Sequence, residues 1–270
     1  STDGSLEIIR GFSDRLTWWV SERDRGQADA INKGLSRAKG EIVAWLNSDD
    51  YYLPGAISQA VNALRDNPEI GLVFGKVQVV DKNEEVLNSL SYDDWQLPDL
   101  MTFKIIGQPA VFMRREVLEK AGFLDLSYHF LLDHQLWLRI GLNTKFMYVP
   151  EFWARAHYHE GCKNLAQAAE FGKEAWKIVE WMKSEAGFAP YLAHNWRKVQ
   201  AGAERLNAFY LLDAKEYRAS FRSYWRSFWL DPAVVLPEWY RMAYSFFAPL
   251  GLDRWKESYL RRRKMKMKKK

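Results

Sequence analysis

The residues best suited to chemistry are Asn47, Ser48, Asp49 and Asp50, which follow directly on the apolar run 42–46. A run apolar on both faces reads as a strand inside a sheet covered by helices. Carboxylates just past the carboxyl end of such a strand lie where open α/β sheets bind their ligands. Two adjacent carboxylates there suit a divalent cation and a phosphate. Asn, Ser and Asp are also ordinary turn formers, so the same four residues read equally well as an acidic turn. The elements around them must decide.

Those elements alternate. Asp3 or Ser5 can cap a helix over 6–12, residues 16–20 are rich in β-formers and read as a short strand, and 21–26 is a polar loop. Ala28, Ile31, Leu35 and Ala38 share one helical face over 27–38, and Gly40 closes that helix before the apolar run begins. Pro54 opens a further helix ending near Asn67 and Pro68. A buried strand over 70–80 then turns at 81–84 and returns over 85–90. A short helix over 99–104, a strand closing at Met113, and helices over 114–121 and 132–141 follow. Residues 145–149 read as a strand ended by Pro150, with 152–157 as an edge strand. Short connections between alternating helices and strands predict an α/β sandwich with a mixed sheet. From about residue 165 the pattern becomes helical and aromatic, with helices over 166–184, 190–212 and 215–230. The expected division is 1–164 and 165–270, with a boundary near 160–165.

Composition narrows the function classes. The 270 residues carry a net charge of +5, but Arg261 to Lys270 hold eight basic residues and no acid, which leaves the rest slightly acidic. A nucleic-acid binder built on a basic face is therefore not expected. The basic end suits a solvated tail or an anionic lipid surface. Aromatics make up 15% of the chain, a high share; most pack a core, and any excess suits sugar stacking, interfaces or membrane surfaces. Cys162 is the single cysteine, so no disulfide can form within the chain, in keeping with a reducing compartment. No apolar run reaches the roughly 20 residues needed to span a bilayer.

Several stretches together resemble the inverting nucleotide-sugar glycosyltransferases of family two, which have the GT-A fold. They are residues 23–34, 40–42 and 46–55, then 107–112, 133–139 and 159–163. The opening Ser1, Thr2, Asp3, Gly4 and Ser5 is similar to the end of the family's second-strand signature. The resemblance covers about residues 1–165, and it is specific for fold and reaction type but weak for substrate. It implies that the first strand and part of the second lie ahead of Ser1, together with the aspartate that reads the base.

What the resemblance implies for single residues follows. A departing diphosphate needs its charge neutralised, usually by a divalent cation on carboxylates and phosphate oxygens. Asp49 is the expected ligand of Mn2+ or Mg2+, and Asp50 touches the metal shell or the donor. Asn47 stands where a first carboxylate is common, so the site is less anionic and borrows a ligand. His159 is the expected extra ligand, with His157 as its rival, and Lys163 meets phosphate. Asp3, Arg25 and Gly26 are placed toward the donor. Asp133, the only carboxylate of its segment, matches the position of the base that deprotonates an acceptor hydroxyl. The alternative for Asp133 is an acid favoured by the helix dipole. Gln108 and Pro109 shape the acceptor side, and Trp137 either flanks the acceptor or packs. The implied partners are a nucleotide-sugar donor and a saccharide or lipid-linked acceptor, in cytoplasmic assembly of bacterial surface polysaccharide or glycolipid.

Phe221, Tyr224, Trp225, Phe228 and Trp229, followed by further aromatics and the basic tail, read as a helix in a membrane interface or as a packed subdomain. Competing functions are a non-catalytic sugar- or partner-binding module, a membrane-surface adaptor and a nucleotidyltransferase. Free nucleoside diphosphate would mark glycosyl transfer, and pyrophosphate would mark nucleotidyl transfer.

Overall fold

The computed structural model of the chain describes residues 2–158 and 167–250. Helix α1 (Ser5–Gly11) and a 3-10 turn (Ser13–Arg15) precede α2 (Gln27–Arg37), β1 (Ile42–Val43), β2 (Tyr51–Tyr52) and α3 (Ala56–Asp66). The long strand β3 (Ile70–Val80) turns into β4 (Val86–Leu90), and α4 (Leu97–Met101) follows. Then come β5 (Val111–Arg114), α5 (Arg115–Ala121), α6 (Leu132–Gly141) and β6 (Lys145–His157). Three long helices complete the chain, α7 (Ala168–Ser184), α8 (Ala189–Asp213) and α9 (Tyr217–Leu230), with short α10 (Pro232–Val235) and α11 (Trp239–Phe247) after them.

The six strands form one mixed sheet in the order β1-β5-β3-β6-β2, with β4 added to β3. Among the described residues only β3 and β6 pair in parallel. Side chains on β3 alternate between two cores. Leu72 and Phe74 join the helices α2 and α4 to α8, whereas Val73 and Val77 join α3 and Trp153. With helices on both faces, residues 70–74 are all buried, which is why they read as an unbroken apolar run. The helical region does not stand apart. Phe171, Ile178, Val199 and Leu206 belong to the same core as the sheet.

Three expectations are corrected. Residues 16–20 pair with no strand among the described residues; Trp18 is 40% exposed and lies against the Arg37 guanidinium. The run 42–46 contributes a ladder of two residues only, and β1 pairs on one side with β5 among the described residues. Among the described residues it stands at the end of the strand order. The two strands read on either side of Pro150 are one element, and it lies inside the sheet between β3 and β2. The register passes from Phe74 opposite Tyr148 to Lys76 opposite Phe152, so three residues of β6 face one of β3. Proline, lacking an N–H, sits in that bulge without costing a ladder bond. Among the described residues no helix is long and apolar enough to cross a membrane.

Candidate active site

The acid turn is fixed by its own side chains. Asn47 closes it with a backbone bond from the Asp50 N–H (3.1 Å), and its amide donates to Asp50 Oδ2 (3.0 Å). The other Asp50 oxygen accepts the backbone N–H of His157 at 3.3 Å. Asp50 is half-buried, and desolvation, aided by the neighbouring Asp49 charge, pushes its carboxyl above the usual range. Asp49 lies at the surface. Both oxygens of Asp50 thus serve the turn, and Asp49 is the member presented outward.

His157, at the end of β6, belongs to this turn. Its Nδ1 lies 2.5 Å from the Asp49 carbonyl oxygen, and its Nε2 lies 2.8 Å from a Glu84 carboxylate oxygen. Both partners are acceptors, which favours a proton on each ring nitrogen. The Asp49 carbonyl first and Glu84 second hold its pKa above the ordinary value. In these contacts His157 braces the turn. Glu84 sits in the β3–β4 turn at φ 61, a left-handed backbone that a non-glycine residue adopts at a cost. Tyr51 donates to it (2.5 Å) and Arg155 reaches both Tyr51 (3.0 Å) and Glu84 (3.3 Å). Tyr51 and Arg155 face one another in the β2–β6 ladder, so the sheet itself aligns this brace.

A chain of contacts joins the turn to α6. The Gln108 amide donates to the Trp45 carbonyl (2.7 Å), and its oxygen accepts from Asn47 (3.4 Å). The Trp45 ring stacks on Trp137 at 5.3 Å and 25°. Trp137 lies one turn along α6 from Asp133. Gln27, in the first turn of α2, donates to Asn47 Oδ1 (3.3 Å) and brings that helix start to the same place.

Asp133 is half-buried at the head of α6, and desolvation pushes its carboxyl up to about 6. The His134 N–H (2.7 Å to Oδ1) offsets part of this, and the charge of Glu174 adds to it. Glu174 comes from α7. Its carboxylate accepts the backbone N–H groups of His129 (2.6 Å), Phe130 (2.9 Å) and Leu131 (2.8 Å), the residues leading into α6. A helix start leaves N–H groups without intrahelical partners, and a carboxylate there is the natural acceptor. The helical region therefore sets the entry to the helix that carries Asp133.

The remaining expected residues are placed as follows. Asp3 accepts from the Ser5 hydroxyl (2.7 Å) and N–H (3.2 Å), which lowers its pKa; its described contacts are those of a local cap. Arg25 pairs with Asp29 (3.2 Å), and Gly26 stands at φ 111 as it turns into α2. Pro109 and Trp137 are buried, the latter 1% exposed. His159 and Lys163 lie outside the described residues. Among the described residues no three His, Cys, Asp or Glu side chains converge as a metal cage. The hard oxygens of one exposed and one half-buried carboxylate do fit a small divalent cation, which commonly takes one or two carboxylates and completes its shell on phosphate.

A mixed sheet covered by helices in this arrangement is the GT-A fold. Residues 1–122 match the family model for glycosyl transferase family 2. An uncharacterized glycosyltransferase of Methanocaldococcus jannaschii is 24% identical over 154 residues, covering 54% of this chain and 53% of its own length. One from Nostoc sp. is 27% identical over 137 residues, covering 46% and 42%. The chain spans about half the length of the first of these relatives. Among solved structures, S. aureus TarS in complex with UDP-GlcNAc matches with a TM-score of 0.56 at 14% identity, over 90% of this chain and 80% of its own. The mannosyltransferase PcManGT of Pyrobaculum calidifontis, in complex with GDP-Man and Mn2+, matches with 0.52 at 20% identity, over 93% and 74%. These two show the fold.

Proposed function

We propose that this chain transfers a sugar from a nucleoside-diphosphate donor to a hydroxyl of a saccharide or lipid-linked acceptor, with inversion. The setting is synthesis of a bacterial surface polysaccharide or glycolipid, at the cytoplasmic side of a membrane. One observation carries the reading: a half-buried carboxyl of raised pKa, Asp133, is tied through Trp137, Trp45 and Gln108 to the acid turn. The UDP-GlcNAc and GDP-Man bound by the two neighbours support a sugar nucleotide as donor.

The chemistry asks two things of the protein. The Asp133 carboxylate takes the proton of the acceptor hydroxyl as its oxygen attacks the anomeric carbon. The bond from that carbon to the diphosphate breaks on the opposite face, so a single displacement inverts the centre. A pKa near 6 leaves Asp133 ionised at neutral pH yet more basic than an ordinary carboxylate. Asp49, with Asp50 behind it, would hold a divalent cation, which supplies positive charge to the leaving diphosphate. The Mn2+ bound by the mannosyltransferase neighbour supports that assignment.

A screen of nucleotide sugars with the full-length protein tests the reading. Release of free nucleoside diphosphate with an acceptor present supports it. Pyrophosphate would reassign the chain as a nucleotidyltransferase, and donor binding with no release would make it a binding module.

A further inference from the structure

We infer that α9 and α11 form a docking face for an anionic lipid bilayer. The inference is independent of the donor chemistry.

α9 buries one stripe, Ser220, Ser223, Tyr224 and Ser227, against α8. The small serines let the helices close, and two of them donate to α8 carbonyls, Ser220 to Ala208 (2.7 Å) and Ser227 to Ala201 (2.7 Å). The opposite face is left to solvent. Along it Arg218, Arg222 and Arg226 recur at every fourth position, and α9 contains no acidic residue. Arg226 lies 3.6 Å from buried Glu204, whereas Arg218 and Arg222 have no carboxylate partner among the described residues. Beside this row runs an aromatic one. Phe247 touches Phe246, which touches Phe221; Phe221 meets Trp225, and Trp225 meets Trp229, with ring centroids 5.0 to 6.1 Å apart. These rings are not core. Trp229 is 64% exposed, Phe246 50% and Trp225 45%.

Apolar rings beside a cationic row suit a helix lying in the headgroup region, where aromatics settle and arginines meet phosphate. Trp229 also lines a cavity of about 590 Å³ together with Arg197, Lys198 and Asp231, two cations and one acid at the same edge. The chain then runs into Arg261 to Lys270, eight basic residues without an acid. Aromatic rings alone could take a protein partner or a second copy; the one-sign charge on the helix and in the tail singles out an anionic bilayer.

Co-sedimentation of the full chain with vesicles of phosphatidylcholine, alone or mixed with phosphatidylglycerol, tests this. Binding is expected only to the mixture and should weaken as salt is added. Each basic side chain at an anionic surface is worth about five-fold in partition. The pair Arg218→Gln and Arg222→Gln should therefore lose about 25-fold. The pair Trp225→Ala and Trp229→Ala should also weaken binding, with the thermal unfolding midpoint unchanged. Removal of residues 254–270 should weaken it further without abolishing it. If the tail deletion removes all binding and both helix pairs bind as the parent does, the face is not the docking surface. If the tryptophan pair shifts the sedimentation of a dimer to that of a monomer and leaves vesicle binding intact, the occupant is a second copy and the inference fails.

Discussion

Asp133 holds a charge where the protein disfavours it, and this separates its use in chemistry from its use in stability. Its carboxyl is raised from 3.8 to about 6, so the folded state favours the protonated form. Its contribution to folding is therefore full below pH ~4 and is lost as pH rises through about 6. Asp133→Asn should abolish transfer, keep donor binding, and raise stability at neutral pH by about 3 kcal/mol, since one pKa unit is about 1.4 kcal/mol. Calorimetric donor titration and denaturant unfolding at pH 7 read both effects; loss of stability would make Asp133 a structural acid. Transfer by the parent chain should rise with pH through about 6 as the base ionises. Asp49 stands differently, exposed and outward. Asp49→Ala should remove the Mn2+-dependent part of donor affinity with little change in unfolding, which titration with and without chelator would show. Unchanged metal dependence would move the ligand elsewhere.

At the scale of elements, the helices that position the site were legible where one residue pattern serves one local structure. α2 and α6 follow from apolar positions at helical spacing, and β3 from its unbroken apolar run. The two-residue β1 and the unpaired run 16–20 show the converse, because a strand exists only where a partner offers a ladder. Pro150 ordinarily ends a strand, and only the tertiary bulge lets β6 continue past it. In the site, Asp49, Gln108 and Asp133 could be singled out by motif. Glu84 and Glu174 could not, since each acts on residues more than thirty positions away and has no local signature. Glu174→Ala should release three N–H groups at the entry to α6. Bonds to a charged acceptor are worth about 1.5–3 kcal/mol each, so a loss of about 3 kcal/mol or more is expected by denaturant unfolding. Turnover should fall with it, and Glu174→Gln should recover part of both. Gly202 of α8 is a second such joint. A Cβ there would stand 2.2 Å from the Thr102 carbonyl oxygen, so Gly202→Ala must push α8 off the α4 end. About 1–3 kcal/mol of destabilisation should follow in thermal or chemical unfolding.

On the scale of the whole molecule, the expected division near residue 165 marks a change of pattern, not of packing. The helices after it share a core with the sheet, and Arg205 of α8 donates to the Phe103 carbonyl (2.7 Å) as Glu174 of α7 accepts from residues 129–131. A truncation after β6 should therefore yield a chain that aggregates or fails to fold, checked by expression and circular dichroism. The Glu174 contact also has a kinetic consequence. The amides of His129, Phe130 and Leu131 lie in a loop, where exchange with solvent is ordinarily fast. Bonded to a carboxylate on α7, they can open only when that helix lifts. In deuterium their protons should be lost in step with the buried amides of α7, so the two regions exchange as one cooperative unit.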